Sequence, residues 1–159
     1  MSTAVLDTKA RTYSLPGLEV RLVRDRTVDR PTRKISTAAD AADLVREYLD
    51  GADREHFVVI LLTTKHNVIG INTVSVGGLA VAYVHPREVF KPAILAGAAA
   101  VIIAHNHPSG DPEPSTDDCV LTDTIRSAGR ILGIELLDHV IIGDDGRFVS
   151  LHDRREGGF

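Results

Sequence analysis

Apolar and polar positions repeat along this chain with two periods, and the changes between them mark out its elements. In LEVRLV, Leu18 to Val23, apolar and charged residues alternate, which is the period of a half-exposed strand with arginine suited to a sheet edge. From Ser36 the repeat lengthens: Ala41, Leu44, Val45, Tyr48 and Leu49 share one helical face, with Ser36 or Thr37 placed to cap it and DGAD to end it. Residues 57–62, FVVILL, predict a buried strand, followed by a turn around Lys65 to Asn67 and a second strand over Val68 to Val76, a hairpin. LAVAYV, 79–84, predicts another short strand, and HPREVFKPAILAGA a helix with Pro86 in its first turn and Gly97 at its end. AAVIIAH, 99–105, is apolar on both faces, the mark of a central strand covered by helices. A helix follows from Ser115 to about Leu132, with Cys119, Val120, Leu121, Ile125, Ala128 and Leu132 available to the core and Gly133 as its stop. IELLDHVIIGDDGRFVSL then gives a strand, a tight turn and a final short strand. The order β-α-β-β-β-α-β-α-β-β predicts a single α/β domain, a mixed-direction sheet with helices packed on it.

Composition narrows the class. At 159 residues and 43% apolar content the chain suits one well-buried core. Its longest apolar run, AILAGAAAVIIA at 93–104, falls short of the roughly 18 to 20 residues that span a bilayer, so no membrane association is expected. The stretch MSTAVLDTKARTYS lacks a basic segment followed by an apolar one, and Cys119 is the single cysteine, so no internal disulfide forms; both fit a cytoplasmic location. Net charge is −4, but residues 9–34 carry Lys9, Arg11, Arg21, Arg24, Arg26, Arg30, Arg33 and Lys34 against three acids. This basic extension, 1–34, reads either as a solvated arm or edge strand, or as a contact for nucleic acid or an acidic partner.

The chemistry concentrates in AHNHPSGDPEPSTDD, 104–118, at the end of the central strand. Residues two apart in a strand point the same way, so His105 and His107 can aim both rings at one point. Ser115 stands eight positions after His107 and Asp118 three further on; at i and i+3 of a helix they share a face and can look back at the histidines. Two neutral imidazoles and a carboxylate suit Zn²⁺, and three protein ligands leave a fourth position for water. Ser115 with Asp118 reads equally as a helix cap followed by an acid in the first turn. Imidazoles and carboxylates gathered at one point nonetheless need a charge partner.

With this H-x-H-x7-S-x2-D pattern, and with HPREVFKPAI, AHNHPSGDPEPS and LLDHVIIG, the chain resembles the JAMM (MPN) metalloenzymes, and among them the bacterial RadC-like branch, over about residues 35 to 152. The resemblance implies a JAMM/MPN domain at 35–155 with cytidine-deaminase-like architecture, and one zinc per chain held by His105, His107 and Asp118. It implies that Ser115 orients the water and the oxyanion. It also implies a glutamate general base at the start of an apolar strand some fifty residues before the histidines. Glu55, in REHFVVILL, occupies that place, with Glu88 as runner-up. The expected activity is that of a zinc metallopeptidase or isopeptidase acting on a peptide or protein conjugate. The alternative is a nucleic-acid-associated protein in which the metal acts on phosphodiesters or is structural. RadC-like proteins usually begin with a helical segment resembling DNA-binding hairpins, for which this chain has its basic arm instead. Among the other histidines, His85 is expected to pack or cap a helix, with a supporting role beside the metal as a lesser option; His56, His66, His139 and His152 are expected at the surface or satisfied in the core. Cys119 is expected to be a buried structural thiol, Gly110 to serve a turn and Asp111 to be exposed.

Overall fold

The structure is a computed structural model that describes residues 16–25, 27–28, 34–77 and 84–159. Among these residues four helices and five strands follow in the order α1 (Ala38–Tyr48), β1 (His56–Leu62), β2 (Val68–Val76), α2 (Pro86–Leu95), β3 (Ala100–Asn106), α3 (Thr116–Leu132), β4 (Glu135–Ile142), β5 (Phe148–Ser150) and α4 (Leu151–Arg154). The strands form one sheet ordered β2-β1-β3-β4-β5, antiparallel except for β3 beside β4. This is the expected mixed α/β architecture, and β3 is its middle strand.

The pleat divides the core in two. Val58, Ile60, Leu62, Ile102 and Ala104 face α1, where Ala41, Leu44, Val45 and Tyr48 meet them. Phe57, Val59, Leu61, Val101 and Ile103 face the opposite way, toward Val89, Phe90 and Ala93 of α2 and Leu121 and Ile125 of α3. With both faces covered, β1 and β3 have little use for polar side chains until their ends. Thr37 is the residue that caps α1, in a reciprocal capping box with Asp40. Gly133, at φ 68°, takes the left-handed conformation that closes α3 at little steric cost.

Several expectations are corrected here. Leu18 to Val23 forms no strand, and Leu18, Val20, Leu22 and Val23 are exposed. A strand requires a ladder partner, and among the described residues the arm contributes only an isolated bridge from Lys34 to Asn67 at the start of β2. Much of the basic stretch 9–34, and the strand expected at 79–84 apart from Val84, lie outside the described residues; Val84 is buried just before α2. Val120 and Leu132 are exposed rather than in the core of α3. Cys119 is half-buried beside Ile141, Val149 and Leu151, and burial raises its thiol pKa. The short α4 was not foreseen; Ser150 caps it by accepting the Asp153 N–H.

Asp138 ties this last turn to the sheet. One carboxylate oxygen accepts the backbone N–H groups of His139 at 2.7 Å and His152 at 3.1 Å, and the other accepts the Ser150 hydroxyl at 2.7 Å. Burial pushes this carboxyl's pKa up, while those hydrogen bonds pull it back. Asp138→Ala strands these donors in the interior and is expected to cost about 3 kcal/mol in urea unfolding. A loss under about 1 kcal/mol would mean that the donors find other partners.

Candidate metal centre

The site is built where the middle strand runs out. β1 and β3 are antiparallel with Phe57 opposite His105, so continuing the pairing two residues brings Glu55 level with His107. Glu55 and His105 both lie on the α2–α3 side of the sheet, as Phe57 does. Phe57 stacks on the His105 ring, with centroids 5.9 Å apart and planes 11° apart, and fixes its tilt. His107 lies just beyond the strand, where its N–H donates to the Ile142 carbonyl at 2.9 Å. Gly110, at φ 78°, turns the following loop; its own carbonyl accepts from Asp144 N–H and from Arg147 Nη2, which pins the loop to the β4–β5 turn.

The His105 and His107 Nε2 atoms stand 2.9 Å apart. Asp118 Oδ1 is 3.4 Å from His105 Nε2, Asp118 Oδ2 is 3.8 Å from His107 Nε2, and Glu55 Oε1 is 3.8 Å from His105 Nε2. Glu55, His105 and His107 each offer a donor atom within 4.8 Å of the others, a possible metal site. Side-chain exposure is 0% for His105, 4% for Asp118, 12% for Glu55 and 18% for His107, so the cluster opens at the Glu55–His107 side.

Ser115 and Asp118 form the expected cap, and the same carboxylate also faces the histidines. Asp118 Oδ2 accepts the Ser115 N–H at 2.8 Å and its hydroxyl at 2.5 Å, while Ser115 Oγ accepts the Asp118 N–H at 3.1 Å. That closes a capping box on α3 and leaves Oδ1 turned to His105. The Ser115 hydroxyl proton is therefore directed at Asp118.

The donor set fits a divalent cation. His107 Nδ1 lies 2.7 Å from the Asp111 carbonyl, which can only accept, so the ring proton is on Nδ1 and the Nε2 lone pair faces the cluster. Two imidazole nitrogens with two carboxylates is a nitrogen–oxygen set that suits zinc.

The structure leaves Glu88 elsewhere. It lies on α2, paired with Lys91 and Arg87, which lower its pKa. His85 caps α2, its Nδ1 accepting the Arg87 N–H. Asp111, His66 and His152 are exposed, and His56 is half-buried. His139 is wholly buried beside the site, its Nε2 2.8 Å from His105 Nδ1 and its Nδ1 2.6 Å from Thr122 Oγ1. It is thus a satisfied core histidine, as expected, but one whose partner is a residue of the candidate site. The signal was the adjacent pair Asp138–His139 inside an otherwise apolar strand, two polar groups whose burial demands partners.

Burial holds His105 down to about 4; the Asp118 carboxylate opposes that shift and His107 adds to it. His139 is held well below its ordinary value, by burial first and then by His105 and His107. Both rings are therefore neutral near pH 7. Since unfolded histidine titrates near 6.5, the unfolded chain binds more protons as pH falls below that value. The metal-free protein is thus expected to lose stability steadily as pH falls from about 6.5 toward the value of about 4 at which His105 itself takes up a proton. Asp138, with its raised pKa, works in the opposite sense at the acid end. Urea midpoints measured across that range check the slope; a flat profile down to pH 4 would contradict it.

Among the described residues no helix is long and apolar enough to cross a membrane. Residues 35–157 match the model of the RadC-like JAB domain. A UPF0758 protein of Shouchella clausii is 52% identical over 134 residues, 84% of this chain and 57% of its own length. A UPF0758 protein of Rubrobacter xylanophilus is 55% identical over 132 residues, 82% of this chain and 57% of its own. One from Methanosarcina mazei is 46% identical over 126 residues, 79% of this chain and 55% of its own. The chain thus spans little more than half the length of these relatives. With a family model covering most of its length and relatives above half identity, the chain belongs to the RadC-like JAB domain family.

Proposed function

We propose that the chain is a zinc-dependent hydrolase of amide or isopeptide bonds. The observation that carries this reading is the convergence of two imidazole Nε2 atoms and two carboxylates at the end of β3. His105, His107 and Asp118 are assigned to hold the zinc, because Asp118 is the more buried carboxylate and is locked by the helix cap. A zinc ion held there supplies a water acidic enough to ionise near neutral pH and a Lewis acid for a carbonyl oxygen.

Glu55 is left as the general base. It takes the proton from the attacking water and returns it to the departing amine, for which its place at the open side of the cluster suits it. Ser115 has two tasks in sequence. Its hydroxyl holds Asp118 Oδ2 in the resting site, and turning that proton outward would offer a donor to the oxyanion. An extended peptide is the substrate class favoured, since β2 lies at the edge of the sheet one strand from Glu55.

Elemental analysis of protein purified without added metal, with a peptide-library cleavage assay, tests the reading. About one zinc per chain and cleavage abolished by chelation and restored by zinc are expected. Stoichiometric zinc with no cleavage of any peptide, together with DNA binding that weakens steeply with salt, would favour the nucleic-acid alternative.

A further inference from the structure

We infer that Thr122, acting through His139, fixes the tautomer of His105 and so presents its Nε2 lone pair to the metal site. The inference rests on the assignment of His105 as a ligand. It starts from a count of protons along a buried chain. Thr122 Oγ1 lies 2.6 Å from the Asp118 backbone carbonyl and 2.6 Å from His139 Nδ1, and His139 Nε2 lies 2.8 Å from His105 Nδ1. His105 Nε2 then meets His107 Nε2 at 2.9 Å. These are four contacts, and each calls for one proton. Thr122 and neutral His139 and His105 supply one apiece, while that of His107 is spent on the Asp111 carbonyl. The chain is one proton short.

The deficit could fall at any of the four contacts, but at either inner one it would set two lone pairs against each other at 2.6 or 2.8 Å in the wholly buried interior, so it belongs at one of the two ends. If it fell at the Thr122 end, two oxygens would face each other at 2.6 Å with no hydrogen between them, in a place where Thr122 is 0% exposed. A carbonyl cannot donate, so the hydroxyl proton points at Asp118 and Thr122 Oγ1 becomes an acceptor. His139 must then carry its proton on Nδ1, and its Nε2 accepts. His105 must in turn carry its proton on Nδ1, which leaves Nε2 bare. The deficit therefore sits at the partly exposed mouth, between the two Nε2 atoms, where a cation resolves it. Thr122 and His139 are positioning residues on this account, and the same threonine binds the backbone of Asp118, so it ties two of the three assigned ligands together.

The test reads ring tautomers in metal-free, ¹⁵N-labelled protein by long-range proton–nitrogen correlation, and zinc affinity by competition with a chromophoric chelator. In the wild type, His105 is expected with Nδ1 protonated and Nε2 bare. Thr122→Ser keeps the hydroxyl and is expected to keep both the tautomer and the affinity. Thr122→Val keeps the shape but gives a His139 Nδ1–H no acceptor, so His139 and then His105 are expected to move their protons to Nε2, weakening zinc binding by about 10- to 100-fold. Wild-type His105 protonated on Nε2, or a valine variant with unchanged tautomer and unchanged zinc affinity, would overturn the inference while leaving the metal site in place. A wild type that binds no zinc yet shows His105 protonated on Nδ1 would overturn the metal reading and uphold the tautomer control.

Discussion

Glu55→Gln is expected to leave zinc bound while hydrolysis of a peptide substrate falls by about 10²- to 10⁴-fold. Glutamine keeps the size and shape of the side chain, so the entrance to β1 and the packing around it need not change. What it loses is the ability to take a proton. The paired readout matters because Glu55 is near enough to the imidazoles to act as a ligand itself, with Oε1 3.8 Å from His105 Nε2. Zinc and activity lost together would make Glu55 a ligand and leave the base to be found. Zinc and activity both retained would return it to an ordinary residue at a strand entrance. The inactive, zinc-loaded variant expected here would also serve as bait, since it should still hold the peptide it no longer cuts.

Asp118→Asn separates the two duties of that residue. The asparagine carbonyl oxygen can take the place of Oδ2, accepting both the N–H and the hydroxyl of Ser115, so the start of α3 stays capped. Its amide nitrogen then replaces Oδ1 and turns a donor toward His105, where a ligand oxygen is required. Zinc affinity is expected to fall by more than about 100-fold, beyond the 10- to 100-fold of losing a residue that only supports a ligand. Circular dichroism and the melting temperature of the metal-free protein should stay near those of the wild type, because the two halves of the core do not pass through this carboxylate. Unfolding of the variant would mean that the metal is structural. Zinc retained at full affinity would remove Asp118 from the ligand set.

What the sequence made readable was whatever its local periods encode. A run apolar on both faces predicted the middle strand, and the two-residue repeat then put His105 and His107 at its end. The three-residue step from Ser115 to Asp118 predicted a cap and a ligand as rivals; a carboxylate has two oxygens, and while Oδ2 closes the cap, Oδ1 lies 3.4 Å from His105 Nε2, so the cap does not use up the group the ligand reading needs. That His139 needs a partner was legible from its apolar strand, but which partner was not, because it comes from the neighbouring strand: β3 and β4 lie side by side in parallel, and 34 residues of chain separate the two histidines that touch. Leu18 to Val23 failed in the other direction. Its alternation is real, but alternation describes which residues a strand would present and provides no partner to pair with.

The shared carboxylate of Asp118 also bears on how such sites decay over generations. In a descendant that had lost its histidines, and with them any reason to hold zinc, Ser115 and Asp118 would still be kept by selection on the helix they start, where such a cap contributes about 1 kcal/mol. Half of the motif would outlive the chemistry. Among relatives of uncertain activity, the serine and aspartate are thus weak witnesses, and the paired histidines strong ones, to a working centre.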